Sequence, residues 1–188
     1  MPSSYTGLGV QLMNTGEKSG TWGTLTNTNW NIMEQISGGY TTQALSSTPT
    51  TLSVNDGTAG ATLAHRIIEF TGTIGENFVV TIPLDVQTFY IIKNGTSGAY
   101  TVQFKYVSGS GSSVTWSTTD KGTKLIYAAA DDATNPNIVD TGFLSNVVDD
   151  TSPQLGGNLD IQSYGLTSST NIMNSTISGT GKALILGF

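Results

Sequence analysis

The chain has 188 residues, enough for one medium domain or a small domain with extensions, and a net charge of −6. Only 11% of its residues are charged, against about 25% in an average soluble domain, and Thr, Ser, Asn and 23 Gly take their place. The seven Lys and Arg are scattered and Cys is absent, which argues against nucleic-acid binding, disulfide or thiolate chemistry and most structural zinc sites.

Residues 1–45 are polar and Gly-rich. The start, "MPSSYTGLGVQL", has neither the basic stretch nor the apolar core of a secretory signal, and no apolar run nears the ~20 residues of a membrane span. One helix is expected inside "GEKSGTWGTLTNTNWNIMEQISGGY", capped by Thr26 or Asn27 and stopped by Gly38-Gly39. Leu25, Ile32 and Ile36 form a narrow stripe at helical spacing, with Met33 beside them and Trp30 further round. About three turns of helix are marginal alone, so the apolar side must meet the next domain or another chain. Trp22 and Trp30, set among Thr, Asn and Gly, fit either a small satellite core under a loop or an interface anchor.

Residues 46–141 read as a β domain. "TTLSVNDGTAGATL", "HRIIEFTG", "NFVVTIP", "TFYIIKNG", "AYTVQFKYVSG", "SSVTWSTTD" and "TKLIYAAA" are strand-length runs punctuated by Gly, Asn, Pro or Ser. In the alternating "YTVQFKYV", Tyr100, Val102, Phe104 and Tyr106 share one face. "TFYIIKNG" is apolar on both faces, as expected of a central strand, and its Asn94-Gly95 offers positive-φ positions for a turn. Short strands at this spacing suggest a β-sandwich, a jelly roll or a related barrel.

Residues 142–188 carry isolated apolar side chains, among them Leu155, Leu159 and Ile161, between small polar residues, and end in "GKALILGF" with Leu184, Ile185, Leu186 and Phe188. One such chain cannot enclose a core. Three winding together can, each giving one apolar residue per layer to a shared axis; a disordered tail is the alternative. The terminal apolar group reads as a docking or trimer-closing segment.

Little here asks for catalysis or a cofactor. His65 is the only histidine and lacks the partners of a multi-His metal site, and no G-x-S-x-G elbow accompanies it. Asp131-Asp132 and Asp149-Asp150 are adjacent pairs, which a strand points to opposite faces; solvated turns suit them better than Ca²⁺ ligation. "GSGSS" at 109–113 is Gly-rich without the rest of a phosphate loop, and reads as a hairpin.

Three stretches resemble tail-fibre and related virion structural proteins of tailed bacteriophages, notably phages of marine bacteria. "NTGEKSGTWGTLTNTNWNIMEQISGGY" is similar to an N-terminal signature common in that group, and "FYIIKNGTSGAYTVQFKYVSGSG" with "KGTKLIYAAADD" and "NIVD" to a β module that follows it. "DDTSPQLGGNLDIQSYGLTSS" resembles an element repeated along many fibre shafts, although it occurs here once, and "YAAADDATNPN" is longer than the usual closing turn.

The resemblance implies a mainly β, non-enzymatic virion protein without cofactor. It implies a homotrimer assembled in the host cytoplasm and held to the tail by residues 1–45, on an adaptor or nozzle protein. Trp22, Leu25, Trp30, Ile32, Met33 and Ile36 would be its anchors. A trimer supplies the shared axis that residues 142–188 need, and distal fibre proteins are further partners, reaching the host receptor indirectly. At ~3.3 Å per residue those residues span at most about 150 Å, so the expectation is a short fibre or a proximal, adaptor-like piece. The rivals are a head fibre and a carbohydrate-binding module in which Tyr90, Tyr100, Tyr106 or Trp116 stack on sugars, unless those rings are core.

Overall fold

The computed structural model describes residues 4–119 and 121–142, all within one compact unit, Met1–Asp149. In chain order they form β1 (Ser4–Tyr5), β2 (Gln11–Leu12), α1 (Trp22–Gly38), β3 (Tyr40–Ala44) and β4 (Thr50–Thr51). A 3₁₀ turn (Thr62–Ala64) precedes β5 (Ile67–Thr71), β6 (Phe78–Ile82), β7 (Thr88–Asn94) and β8 (Val102–Tyr106). β9 (Val114–Trp116), β10 (Thr123–Ala128) and β11 (Ile138–Asp140) complete the described chain. The described residues are mainly β with one α-helix, as the Thr-rich composition suggests. The expected segment of residues 142–188, with Leu155, Leu159, Ile161, Leu184, Ile185, Leu186 and Phe188, lies outside the described residues save Gly142.

Two sheets carry the fold, one ordered β11-β10-β7-β5-β3 and the other β4-β6-β8-β9. β7, whose sequence is apolar on both faces, is the middle strand of the first. From β3 to β8 the chain alternates between the sheets, so each strand lies parallel to the next but one. Parallel neighbours need a crossover, and here the crossover is a strand of the opposite sheet rather than a helix. The expectation of a β-sandwich, jelly roll or related barrel left this topology open.

From β5 to β8 the winding has a fixed pitch. Ile67 pairs with Ile91 and Phe78 with Val102, both 24 residues on. The connection keeps the same register: Thr73 bridges Ser97, the Gly95 N–H donates to the Phe70 carbonyl, and the Ser97 N–H to that of Gly72. Asn94-Gly95 therefore does not turn a hairpin. It carries the chain from one sheet to the other, and the positive φ falls at Gly98 (103°), where a Cβ would sit 2.4 Å from the Ile74 carbonyl oxygen. β9, β10 and β11 then add antiparallel and close the layers.

The inward side chains of both sheets meet in one core. Phe70, Tyr90, Phe104 and Trp116 are wholly buried, with Trp116 edge-on to Phe70 at 5.9 Å and Tyr90 edge-on to Phe104 at 6.3 Å. Their polar atoms are satisfied: the Tyr90 hydroxyl donates to the Leu63 carbonyl, that of Tyr106 to Val86, and the Trp116 indole to Gly122. Burial pushes the Tyr90 phenol well above its ordinary pKa. Three of the four rings considered for sugar stacking are thus structural, and only Tyr100 is exposed.

Helix α1 begins earlier than its sequence suggests. Turns across Asn14–Thr21 lead in, the Leu25 N–H closes the first bond to the Thr21 carbonyl, and no side chain caps the start. Thr26 and Asn27 are helical, not caps. Two short side chains of the polar run are occupied: the Thr28 hydroxyl donates to the Thr24 carbonyl, and Asn29 clamps the Gln11 backbone with two 3.0 Å bonds. The end at Gly38-Gly39 is where the glycines place it. β3 follows at once, so part of the segment 1–45 is the edge strand of the larger sheet.

Candidate interface surfaces

Helix α1 divides the six predicted anchors into two sets. Ile32 is 1% exposed and Leu25 and Ile36 are half-buried, on the side facing the β body. Trp22 is 62%, Trp30 67% and Met33 43% exposed, on the adjoining face. At 100° per residue Trp22, Met33 and Trp30 fall within about one quarter of the helix circumference. No satellite core holds the tryptophans. They stand out on a helix whose other side is fixed.

That fixing depends on Arg66, which the sequence reading passed over. Its Nε donates to the Ile36 carbonyl at 2.8 Å, in the last turn of α1 where carbonyls lack intrahelical partners. Nη1 reaches the Thr88 hydroxyl and the Phe89 carbonyl, and the guanidinium lies 4.5 Å from the centre of the Phe89 ring. Burial lowers its pKa without discharging it. The one advance signal was a lone arginine opening an otherwise apolar strand run.

A second surface is the outer face of the five-stranded sheet. Register places Val139, Tyr127 and Phe89 in one row, and Leu125, Ile91, Ile67 and Tyr40 in the next. Tyr40 (56%), Phe89 (49%), Val139 (44%) and Tyr127 (41%) are exposed, the rest half-buried. A third row runs Thr123, Lys93, Glu69, Thr42. Lys93 and Glu69 form a 2.9 Å ion pair and the Tyr40 hydroxyl donates to Glu69 at 2.7 Å. That hydrogen bond first, then Lys93, holds the Glu69 carboxyl below its usual range, and the same hydrogen bond, then burial, raises the Tyr40 phenol.

Asp149-Asp150 lies outside the described residues, and the others weighed for chemistry have structural partners. His65 Nδ1 lies 2.9 Å from the Ala61 carbonyl oxygen, at the rim of a shallow groove of about 730 Å³ lined by Asn31, Glu34, Gln35 and Tyr40. Asp132 accepts the Thr134 and Asn135 N–H groups, and Asp131 accepts both the N–H and the side-chain amide of Asn137. Those bonds depress both carboxyl pKa values. Asn135 and Asn137 in turn accept the N–H groups of Ser110 and Ser112. The Gly-rich loop is thus a β8–β9 hairpin pinned to the 131–137 loop, with Gly111 so close that a Cβ would meet the Pro136 carbonyl oxygen at 1.9 Å. Among the described residues no cluster of His, Asp and Glu could hold a metal ion, and no helix is long and apolar enough to cross a membrane.

Comparison with known proteins finds no matching family model, no matching curated protein and no matching solved structure.

Proposed function

We propose that this is a structural protein of a phage virion: a short tail fibre, or the proximal adaptor-like piece of one, that docks on a tail protein through α1 and supports host adsorption. The described body is read as a β-sandwich wound in parallel, and the protein as a non-enzymatic homotrimer. One observation carries the docking role. Two tryptophans and a methionine stand exposed on a helix that Arg66, Asn29 and Ile32 hold against the β body, so the apolar face is presented rather than merely uncovered. The resemblance of the flanking sequence to tail-fibre signatures gives the partner's class. A sugar-binding role is weaker, since Tyr90, Tyr106 and Trp116 are spent on the core.

The test is incorporation. Removing residues 1–40 would also take Tyr40 from β3 and the α1 carbonyl from Arg66, so point changes are preferable. Trp22→Ser with Trp30→Ser is expected to leave a folded protein that no longer co-purifies with virions. Wild-type levels of the double variant in tails would sink the docking role of α1, and immunogold labelling on heads rather than tails would favour a head fibre.

A further inference from the structure

We propose that the outer face of the five-stranded sheet is the surface through which copies of this chain pack on one another, a deepening that rests on the homotrimer reading above. Parallel strands usually lie in sheets covered on both faces, and β3, β5 and β7 are parallel with an apolar outer side. The two apolar rows cross three and four strands about 4.8 Å apart and cover on the order of 200–300 Å², close to the scale of the largest apolar patch on a soluble monomer, which commonly marks a contact.

Charge favours a second copy as the occupant. The chain carries a net charge of −6, so most encounters between copies are repulsive. On this face Lys93 is paired with Glu69 at 2.9 Å, and the Arg66 guanidinium lies over the Phe89 ring. The face presents no excess of acid to a neighbouring copy around a trimer axis. The other sheet gives the control, because its outer rows, Thr51–Thr81–Lys105 and Val79–Gln103–Thr115, are mostly polar.

The experiment uses the full chain, whose lack of cysteine makes a single introduced thiol unambiguous. Sedimentation at micromolar concentration should show an oligomer for the wild type and a monomer for Phe89→Glu with Tyr127→Glu, with near-ultraviolet circular dichroism reporting that buried Trp116 keeps its environment. Val139→Cys should cross-link between copies on oxidation, whereas Thr115→Cys should not. An oligomer that persists in the folded double variant overturns the sheet-face assignment and leaves the homotrimer standing. A monomeric wild type overturns both, while tail docking is read separately by virion incorporation. If the glutamate variant loses its fold, the thiols decide: equal cross-linking at both sites, or none at Val139→Cys, overturns the proposal.

Discussion

The outward rows of the smaller sheet read Thr51–Thr81–Lys105 and Val79–Gln103–Thr115, those of the larger one Val139–Tyr127–Phe89 and Leu125–Ile91–Ile67–Tyr40. The inner faces are alike, both apolar and sealed into one core. What separates the sheets is therefore not what folding requires. A chain this poor in charge coats its surface with hydroxyls and amides, as where the Gln103 amide donates to the Ser113 hydroxyl at 3.0 Å. The larger sheet departs from that coating over two full rows. Apolar side chains placed outside a satisfied core add little to monomer stability, so they point to function.

The comparison breaks most sharply where inside and outside rings are exchanged. Trp116→Ala should cost about 3–5 kcal/mol in urea unfolding, from lost burial and the cavity left behind. Trp22→Ala and Trp30→Ala, which touch little, should each stay within about 0.5 kcal/mol. Near-equal losses at the three sites would erase the distinction between core and presented aromatics. Arg66→Met comes next. It strips the Ile36 and Phe89 carbonyls of a charged donor and is expected to cost about 2–3 kcal/mol. Hydrogen exchange should show α1 amides opening faster than those of β7, and unchanged α1 protection would mean that Arg66 does not hold the helix.

A smaller effect follows pH. Asp131, Asp132 and Glu69 have folded-state pKa values below their ordinary ones. The folded form therefore binds protons less readily, and the stability this gives is full above the unfolded carboxyl range near pH 4. It is lost as pH falls through the lower folded values. Melting temperature should be flat from about pH 7 to 5 and drop below about 4, and Asp131→Asn should reduce that drop. The least change is expected from trading the two faces: Phe89→Thr and Thr115→Val should each alter stability by about 0.5 kcal/mol or less. A large loss at Phe89 would mean that its ring under Arg66 belongs to the fold more than to a contact.

The strands from β5 to β10 were legible because each is an apolar run between turn residues, and the central place of β7 followed from its two apolar faces. The parallel winding was not. It is written as a match between "IIEFTGTIGENFVVTI" and "IIKNGTSGAYTVQFKY", which keep hydrophobic positions while changing Phe70 to Asn94 and Glu69 to Lys93. β3 and β11 escaped because "YTTQA" and "IVD" are short edge strands, recognisable only by the partner they pair with. The start of α1 was misplaced for a local reason. Thr and Asn favour caps in isolation, but here Thr28 and Asn29 are occupied by the Thr24 carbonyl and the Gln11 backbone. Of α1, the stripe Leu25, Ile32 and Ile36 was readable from periodicity. The exposure of Trp22 and Trp30 was not, since a helical wheel cannot say which apolar arc a β body will cover.

The direct passage from α1 into β3 has a mechanical side. Gly39 is the only residue between them; its N–H bonds back to the Gln35 carbonyl while its own carbonyl accepts the Ile67 N–H of β5. A pull on the helix along the β3 axis is thus not taken up by slack linker. It passes through one residue into a strand bonded along its length to β5, which loads those bonds together in shear instead of opening them one at a time. Any tension applied to α1 is shared across that join.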